Sequence, residues 1–226
     1  MVKAHELRIP FSWQERHVII KDRVWFLPPR VLQDPFVFQG WDHPELFANA
    51  QPVRLEYCSG NGSWIIERAK NDPHSNWLAI EKQFCRARLI WAKAKNLGLN
   101  NLAVALAEGQ ELTERYLPTA SVEEIYVNFP DPWPKRRHGK HRIIKPAFVN
   151  ELARIIKPNG FATLVTDDED YSKIMIEEMQ KNPIFISHFG PPYYTEASSD
   201  YGTSFFDSLF RGLEKRIRLH KFVRAG

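Results

Sequence analysis

The sequence predicts a doubly wound α/β protein with a mostly parallel sheet, and three observations predict it. From residue 53 onward, short apolar runs alternate with amphipathic ones; a glycine-bearing turn follows the first run; and acids stand at the ends of successive runs. Apolar strands separated by helices at this interval form parallel sheets covered on both faces. The 226 residues allow one large domain, or one domain with a substantial extension. Residues 1–50, rich in proline and aromatics and without a sustained helical period, are expected to be an ordered extension packed on a core domain of residues 51–226.

VRLEY (53–57) is a β-rich run, followed by CSGNGS and the helical stretch WIIERAK. NWLAIE (76–81) is the second strand, and the amphipathic FCRARLIWAKAKNLG after it stops at Gly98, a glycine placed where helices end. NLAVALAEG, a short helical segment, VEEIYVNF, the helix KPAFVNELARIIK and GFATLVTD continue the alternation. YSKIMIEEMQ, PIFISHF and a terminal KRIRLHKFV follow, so the far edge is expected to hold an antiparallel strand.

Composition narrows the setting. With 43% hydrophobic and 26% charged residues, wholesale disorder is excluded. The net charge of +4 hints at a polyanionic partner, and local clustering matters more than the total. Cys58 and Cys85 are too few for a disulfide framework and match no metal-ligand spacing, so no metal is expected. No apolar run approaches the roughly 20 residues of a membrane span. Nothing resembles a secretory leader, and a cytoplasmic protein is expected.

In sheets of this kind ligands bind at the carboxyl ends of the strands, where strand order reverses. The first strand ends in Glu56 and runs into C-S-G-N-G, where Gly60 and Gly62 let backbone approach a ligand. The second ends in Glu81, 21 residues after Gly60, where a carboxylate suits the paired hydroxyls of a ribose. The third ends at Glu108-Gly109, placed to meet an adenine edge. The dinucleotide pattern G-x-G-x-x-G would fall on Cys58, Gly60 and Ser63, so two of its three glycines are missing. An acid beside the turn disfavours a pyrophosphate and favours a ligand carrying positive charge. S-adenosylmethionine, with its ammonium and sulfonium, fits better than NAD.

The fourth strand leaves through 128-NFPDPWPKRRHGKHR-142. Three prolines fix φ and remove backbone donors, so the segment is a stiff corner that holds Asp131 and Trp133 with little entropy left to lose. Trp133 either packs the corner or offers a face to a base. The cations from Lys135 to Arg142, with Lys145 beyond, suit a phosphate backbone, and KRIRLHKFVR at 215–224 is expected to extend the same surface.

NFPDPWPK followed by RH, a basic stretch and RII resembles the signature of bacterial tRNA (guanine-N7)-methyltransferases. The resemblance covers the chain from about residue 53 onward: E-x-C-S-G-N-G is similar to the family's first motif, IEK to its second, T166-D167 to its substrate-side strand end, and T203-S-F-F-D207 to a Thr-x-x-Glu element. It implies a Rossmann-like class I methyltransferase fold and methyl transfer from S-adenosylmethionine to N7 of a guanosine in the tRNA variable loop (nucleotide 46). By that likeness Glu56, Gly60, Gly62, Glu81, Glu108 and Asp131 bind the cofactor, with Asp131 also the catalytic residue. Lys135, Asp167, Thr203 and Asp207 bind the tRNA. The chain departs from the pattern at Cys58, where the family has a glycine, at Glu108, where aspartate is usual, and at Phe206, where Glu is common. Guanine N7 carries an in-plane lone pair and no proton, so Asp131 is not a general base. It holds guanine's N1–H or amino group, or the cofactor's ammonium. Two other readings stand beside this one: a class I methyltransferase acting on a base amine, whose D/N-P-P-Y/F tetrapeptide is replaced here by D-P-W-P, and a non-catalytic RNA-binding module.

Overall fold

The apolar runs of the first half of the chain become the strands of one sheet. The computed structural model describes residues 10, 16–28, 35–198, 201–202 and 204–226. The chain divides into two units, Met1–Pro118 and Thr119–Gly226.

In the first unit β1 (Ile19–Lys21), β2 (Val24–Phe26), β3 (Val53–Tyr57), β4 (Asn76–Glu81) and β5 (Leu102–Leu106) lie in the order β1-β2-β5-β4-β3. β2, β5, β4 and β3 pair in parallel. All six residues of β4 are buried, as a strand covered on both faces requires. The covering helices are α1 (Ser63–Asn71), α2 (Phe84–Asn96) and α3 (Gly109–Tyr116). Trp64 of α1 meets Trp77 of β4 edge-on at 6.0 Å.

β1 and β2 form an antiparallel hairpin within residues 1–50. Its two turn residues, Asp22 and Arg23, both have positive φ (51° and 60°), the primed turn that matches strand twist. Glu45 braces it, its carboxylate accepting the Asp22 N–H at 2.8 Å and its carbonyl the Arg23 N–H at 2.8 Å. β2 then adds to β5, so this N-terminal stretch continues the sheet of its unit.

In the second unit β6 (Val122–Asn128) pairs in parallel with β7 (Ile156–Thr166). The helix α4 (Pro146–Ile155) makes the crossover, with proline in its first turn where no backbone donor is needed. β10 (Arg218–Arg224) runs antiparallel to β7, and β8 (Phe185–Ser187) and β9 (Thr195–Glu196) run antiparallel to β10. The antiparallel strand expected from KRIRLHKFV is therefore present, with two short strands beyond it. α5 (Glu169–Lys181) and α6 (Phe205–Gly212) complete the unit.

One irregularity has a steric cause. Val122 pairs with Ile156, yet Glu124 pairs with Phe161, so residues 157–160 bulge out of the ladder. Pro158 supplies no backbone donor there. Gly160 ends the bulge against β6, where an added Cβ would lie 2.4 Å from the Glu123 carbonyl oxygen. Gly160→Ala must push two backbones apart and is expected to lower stability by about 1–3 kcal/mol, read as a lower urea midpoint.

Among the described residues no helix is long and apolar enough to cross a membrane, and no group of three His, Cys, Asp or Glu side chains could hold a metal ion.

Candidate active site

In the first unit the three acids stand at the ends of β3, β4 and β5. Glu56 is 2% exposed and Glu81 5%. Glu81 is held from both sides, its Oε2 accepting the Gly60 N–H at 2.9 Å and its Oε1 the Gln83 N–H at 2.8 Å. A carboxylate has about four lone-pair positions, so two remain for the adjacent hydroxyls of a ribose. Glu108 is exposed and caps α3, its Oε2 accepting the Glu111 N–H at 2.8 Å. Its side chain thus has a helix-capping duty that the sequence reading did not anticipate.

The turn between β3 and α1 is left-handed at three places, Cys58 (φ 61°), Gly60 (φ 57°) and Gly62 (φ 74°). Gly62 also packs against α2, where an added Cβ would lie 2.6 Å from Ile90 Cγ1. Cys58 is the one non-glycine of the three, in a region that L-residues rarely adopt. It touches solvent, yet the surrounding protein and then the carboxylates of Glu81, Glu56 and Glu108 push its thiol up to about 12, against the opposing pull of Lys82. The Cys58 thiol is therefore neutral and a poor nucleophile at neutral pH. Three carboxylates gathered at these strand ends, against the single nearby Lys82, make the field at the turn negative. Such a field repels a pyrophosphate and favours a ligand with fixed positive charge. The donor set of this turn therefore fits S-adenosylmethionine.

In the second unit Asp131 follows β6 at an exposed position, its Oδ1 accepting the Trp133 N–H at 3.2 Å. The corner begins at Phe129 (φ 47°) and turns again at Trp133 (φ 43°), both in left-handed backbone. The Phe129 N–H donates to Val165 O at 2.9 Å, and its ring lies 5.6 Å from Phe210 of α6. Just before it, buried Asn128 accepts the Tyr201 hydroxyl at 2.7 Å. The Trp133 ring is partly used inside the loop, 5.8 Å from His138 and 5.1 Å from His141.

The basic run after the corner is a 3-10 helix, Arg136–His141, with Lys135 as its N-cap. Lys135, Arg137, Lys140 and His141 are exposed. Asp167, after β7, is ion-paired with Lys215 at 2.5 Å. Asp207 is 3% exposed on α6; its N–H is capped by Ser204 Oγ at 2.9 Å and its Oδ2 accepts from Arg211 Nε at 2.9 Å. Thr203 lies outside the described residues. The second basic stretch does not form the open cationic surface expected of it. Strand alternation buries Arg218, His220 and Phe222, Arg218 and Arg216 pair with Glu169 and Glu196, and Lys221 lies over the Phe161 ring. Arg142 and Tyr171, which tie the corner to α5, escaped the sequence reading; Arg142 counted there only as one more cation.

A family model described as "Putative methyltransferase" matches residues 50–200. Among solved structures, the antibiotic-resistance methyltransferase Kmr superposes with a TM-score of 0.58 at 14% identity, covering 84% of this chain and 95% of that one. A SAM dependent methyltransferase from Aquifex aeolicus superposes with a TM-score of 0.53 at 15% identity, covering 78% of this chain and 85% of that one. These neighbours show the class I methyltransferase fold. A protein of Chlamydia caviae named tRNA (guanine-N(7)-)-methyltransferase is 38% identical over 99% of this chain and 98% of its own length. At that identity over essentially the whole length, the chain belongs to the tRNA (guanine-N(7)-)-methyltransferase family.

Proposed function

We propose that this protein transfers the methyl group of S-adenosylmethionine to N7 of a guanine in tRNA. The observation that carries the reading is the gathering of Glu56, Glu81 and Glu108 at three strand ends beside the Cys58 turn, with Glu81 bonded to the Gly60 N–H, a set of carboxylates that suits a cationic methyl donor. Glu81 takes the ribose hydroxyls, the Gly60–Gly62 turn admits the methionine end, Glu56 supplies a buried carboxylate for the ammonium, and the Glu108-Gly109 corner meets the adenine. The bound cofactor supplies an activated methyl group. The protein's task is alignment, since N7 needs no base and gains most from being held in line with the methyl carbon and sulfur.

The second unit supplies the nucleic-acid side. Lys135 and the exposed cations of the 3-10 helix suit phosphates, which position an RNA without reading its sequence. Asp167 is a hydrogen-bond acceptor for guanine's N1–H and amino group, and its pairing with Lys215 orients it. Asp131 is the carboxylate of the reaction centre. Asp207 serves α6 instead, through its cap and its bond to Arg211.

The reading is tested by incubating the protein with labelled S-adenosylmethionine and unmodified tRNA, then digesting to nucleosides for mass spectrometry. 7-Methylguanosine in the variable loop is the expected product. A methylated base amine would move the activity to another substrate class, and no product with no cofactor binding would leave only an RNA-binding protein. Glu56→Gln is expected to weaken S-adenosylmethionine binding roughly 10- to 100-fold by calorimetry, the loss of one charge-assisted hydrogen bond.

A further inference from the structure

The Asp131 corner has two left-handed non-glycine residues, Phe129 and Trp133, within five positions. Each such residue is strained and persists only where surrounding contacts over-determine it. Phe129 has its contacts from Val165 and Phe210. At the other end of the corner, one side chain takes the two backbone carbonyls that flank the second left-handed residue.

Arg142 stands at the far end of the basic loop, half-buried. Its Nε donates to Pro132 O at 2.7 Å and its Nη2 to Trp133 O at 3.1 Å, so one planar guanidinium spans two successive carbonyls. The guanidinium itself is braced on α5, 5.5 Å over the Tyr171 ring. Tyr171 is buried, and its hydroxyl accepts the Ile144 N–H at 3.3 Å, which anchors the return of the loop to the same helix. The N-cap of that helix is Asp168, whose Oδ1 accepts the Tyr171 N–H at 2.7 Å, and Asp168 directly follows Asp167. A chain of contacts therefore runs from the Asp167 end of α5 through Tyr171 and Arg142 to the peptide units on either side of Trp133. Asp131 joins the same construction through the bond between its Oδ1 and the Trp133 N–H.

We propose that Arg142 is a positioning residue: it clasps the corner closed and fixes the direction of the Asp131 carboxylate, rather than binding tRNA phosphate with the other cations of the run. The inference rests on Asp131 acting in methyl transfer, and it adds a part that the charge pattern hides. Among the basic residues from 135 to 142, the last is a structural fork and the exposed ones are the electrostatic surface. The loop between them returns its own end to its beginning, so the cationic 3-10 helix and Asp131 belong to one hydrogen-bonded loop.

Arginine and lysine separate the two roles, because an ammonium can replace the charge but neither the two-bond fork nor the ring stacking. Arg142→Lys and Arg142→Ala are each expected to lower kcat by about 10²-fold, the scale of a small misplacement of a reacting group, with the Kd for S-adenosylmethionine unchanged and KM for tRNA nearly so. Methylguanidinium added to Arg142→Ala is expected to recover part of the lost kcat. A loss carried by KM and restored by lysine would make Arg142 a phosphate contact and overturn the proposal, as would full activity in both variants. A readout independent of activity covers the case in which the alanine variant does not fold. With 5-fluorotryptophan incorporated and the Trp133 resonance assigned through Trp133→Phe, Arg142→Lys is expected to shift and broaden that line. An unchanged line in the folded variant would overturn the proposal. Absence of 7-methylguanosine from the wild-type protein would instead sink the assigned reaction, leaving the fluorine measurement to decide the clasp.

Discussion

Asp131→Asn is expected to lower kcat/KM for tRNA methylation by about 10²–10³-fold, the range found when one preorganised electrostatic partner is removed from an active site. Asparagine keeps a carbonyl oxygen where Oδ1 now accepts the Trp133 N–H, so the corner's local turn survives and only the charge is lost. Asp131→Ala removes both and is expected to be worse, with the difference between the two measuring the turn's contribution. Nucleoside mass spectrometry on single-turnover reactions gives the rate, and calorimetry with S-adenosylmethionine alone gives cofactor affinity. A deficit confined to turnover and tRNA KM means that the carboxylate meets the guanine; a matching rise in cofactor Kd means that it meets the ammonium. Because N7 has no proton to lose, the role tested is that of an acceptor and a charge. Asp131→Asn protein with wild-type kcat/KM and cofactor affinity would remove Asp131 from the centre of the mechanism.

What was legible in the sequence follows from what local pattern encodes. NWLAIE, LAVAL and VEEIYVN are short apolar runs between helical ones, and each became a parallel strand with an acid or a polar residue at its carboxyl end. The glycine turn after β3 and the stiff proline corner after β6 were visible because glycine and proline act on backbone wherever they stand. Pairing partners were not visible. That β2 continues the sheet beside β5, two runs nearly 80 residues apart, depends on contacts that no local window contains. The same holds for Arg142, whose role is set by two carbonyls ten and nine residues earlier and by a ring on α5. The misreading of residues 215–224 is the most instructive. A run of cations suggests an exposed surface when counted by composition, but with a period of two every second residue of β10 faces inward. Arg218 and His220 fall on the buried side, between the apolar positions Ile217 and Phe222 that are buried as well. Alternation decided the matter, and charge did not.

His220 supplies the other large expectation. It is fully buried in β10, and its neutral ring is matched at both nitrogens: Tyr193 O can only accept, so Nδ1 carries the hydrogen at 3.3 Å, and Nε2 is left to accept the Ser172 hydroxyl at 3.1 Å. Burial pushes the imidazole down from 6.5 to about 4, with the bond to Tyr193 O pulling the other way and Arg218 adding to the depression. The folded protein therefore refuses a proton that the unfolded chain accepts between those two values. Stability is fully present above pH 6.5 and falls as pH drops toward 4, where the folded ring finally charges and the loss levels off. The interval between those two values corresponds to roughly 3 kcal/mol from this one group. Urea unfolding of the wild type at pH 7.5, 6, 5 and 4.5 is expected to show that slope, superimposed on whatever the carboxylates add at the acid end. His220→Gln, which cannot charge, is expected to cost stability at pH 7.5 through its poorer packing, yet to converge on the wild type as pH falls. Parallel pH profiles for the two proteins would mean that the ring takes up a proton as readily in the fold as in the unfolded chain, which would overturn this reading. The convergence is the decisive observation, because a purely steric role for His220 predicts a constant offset at every pH.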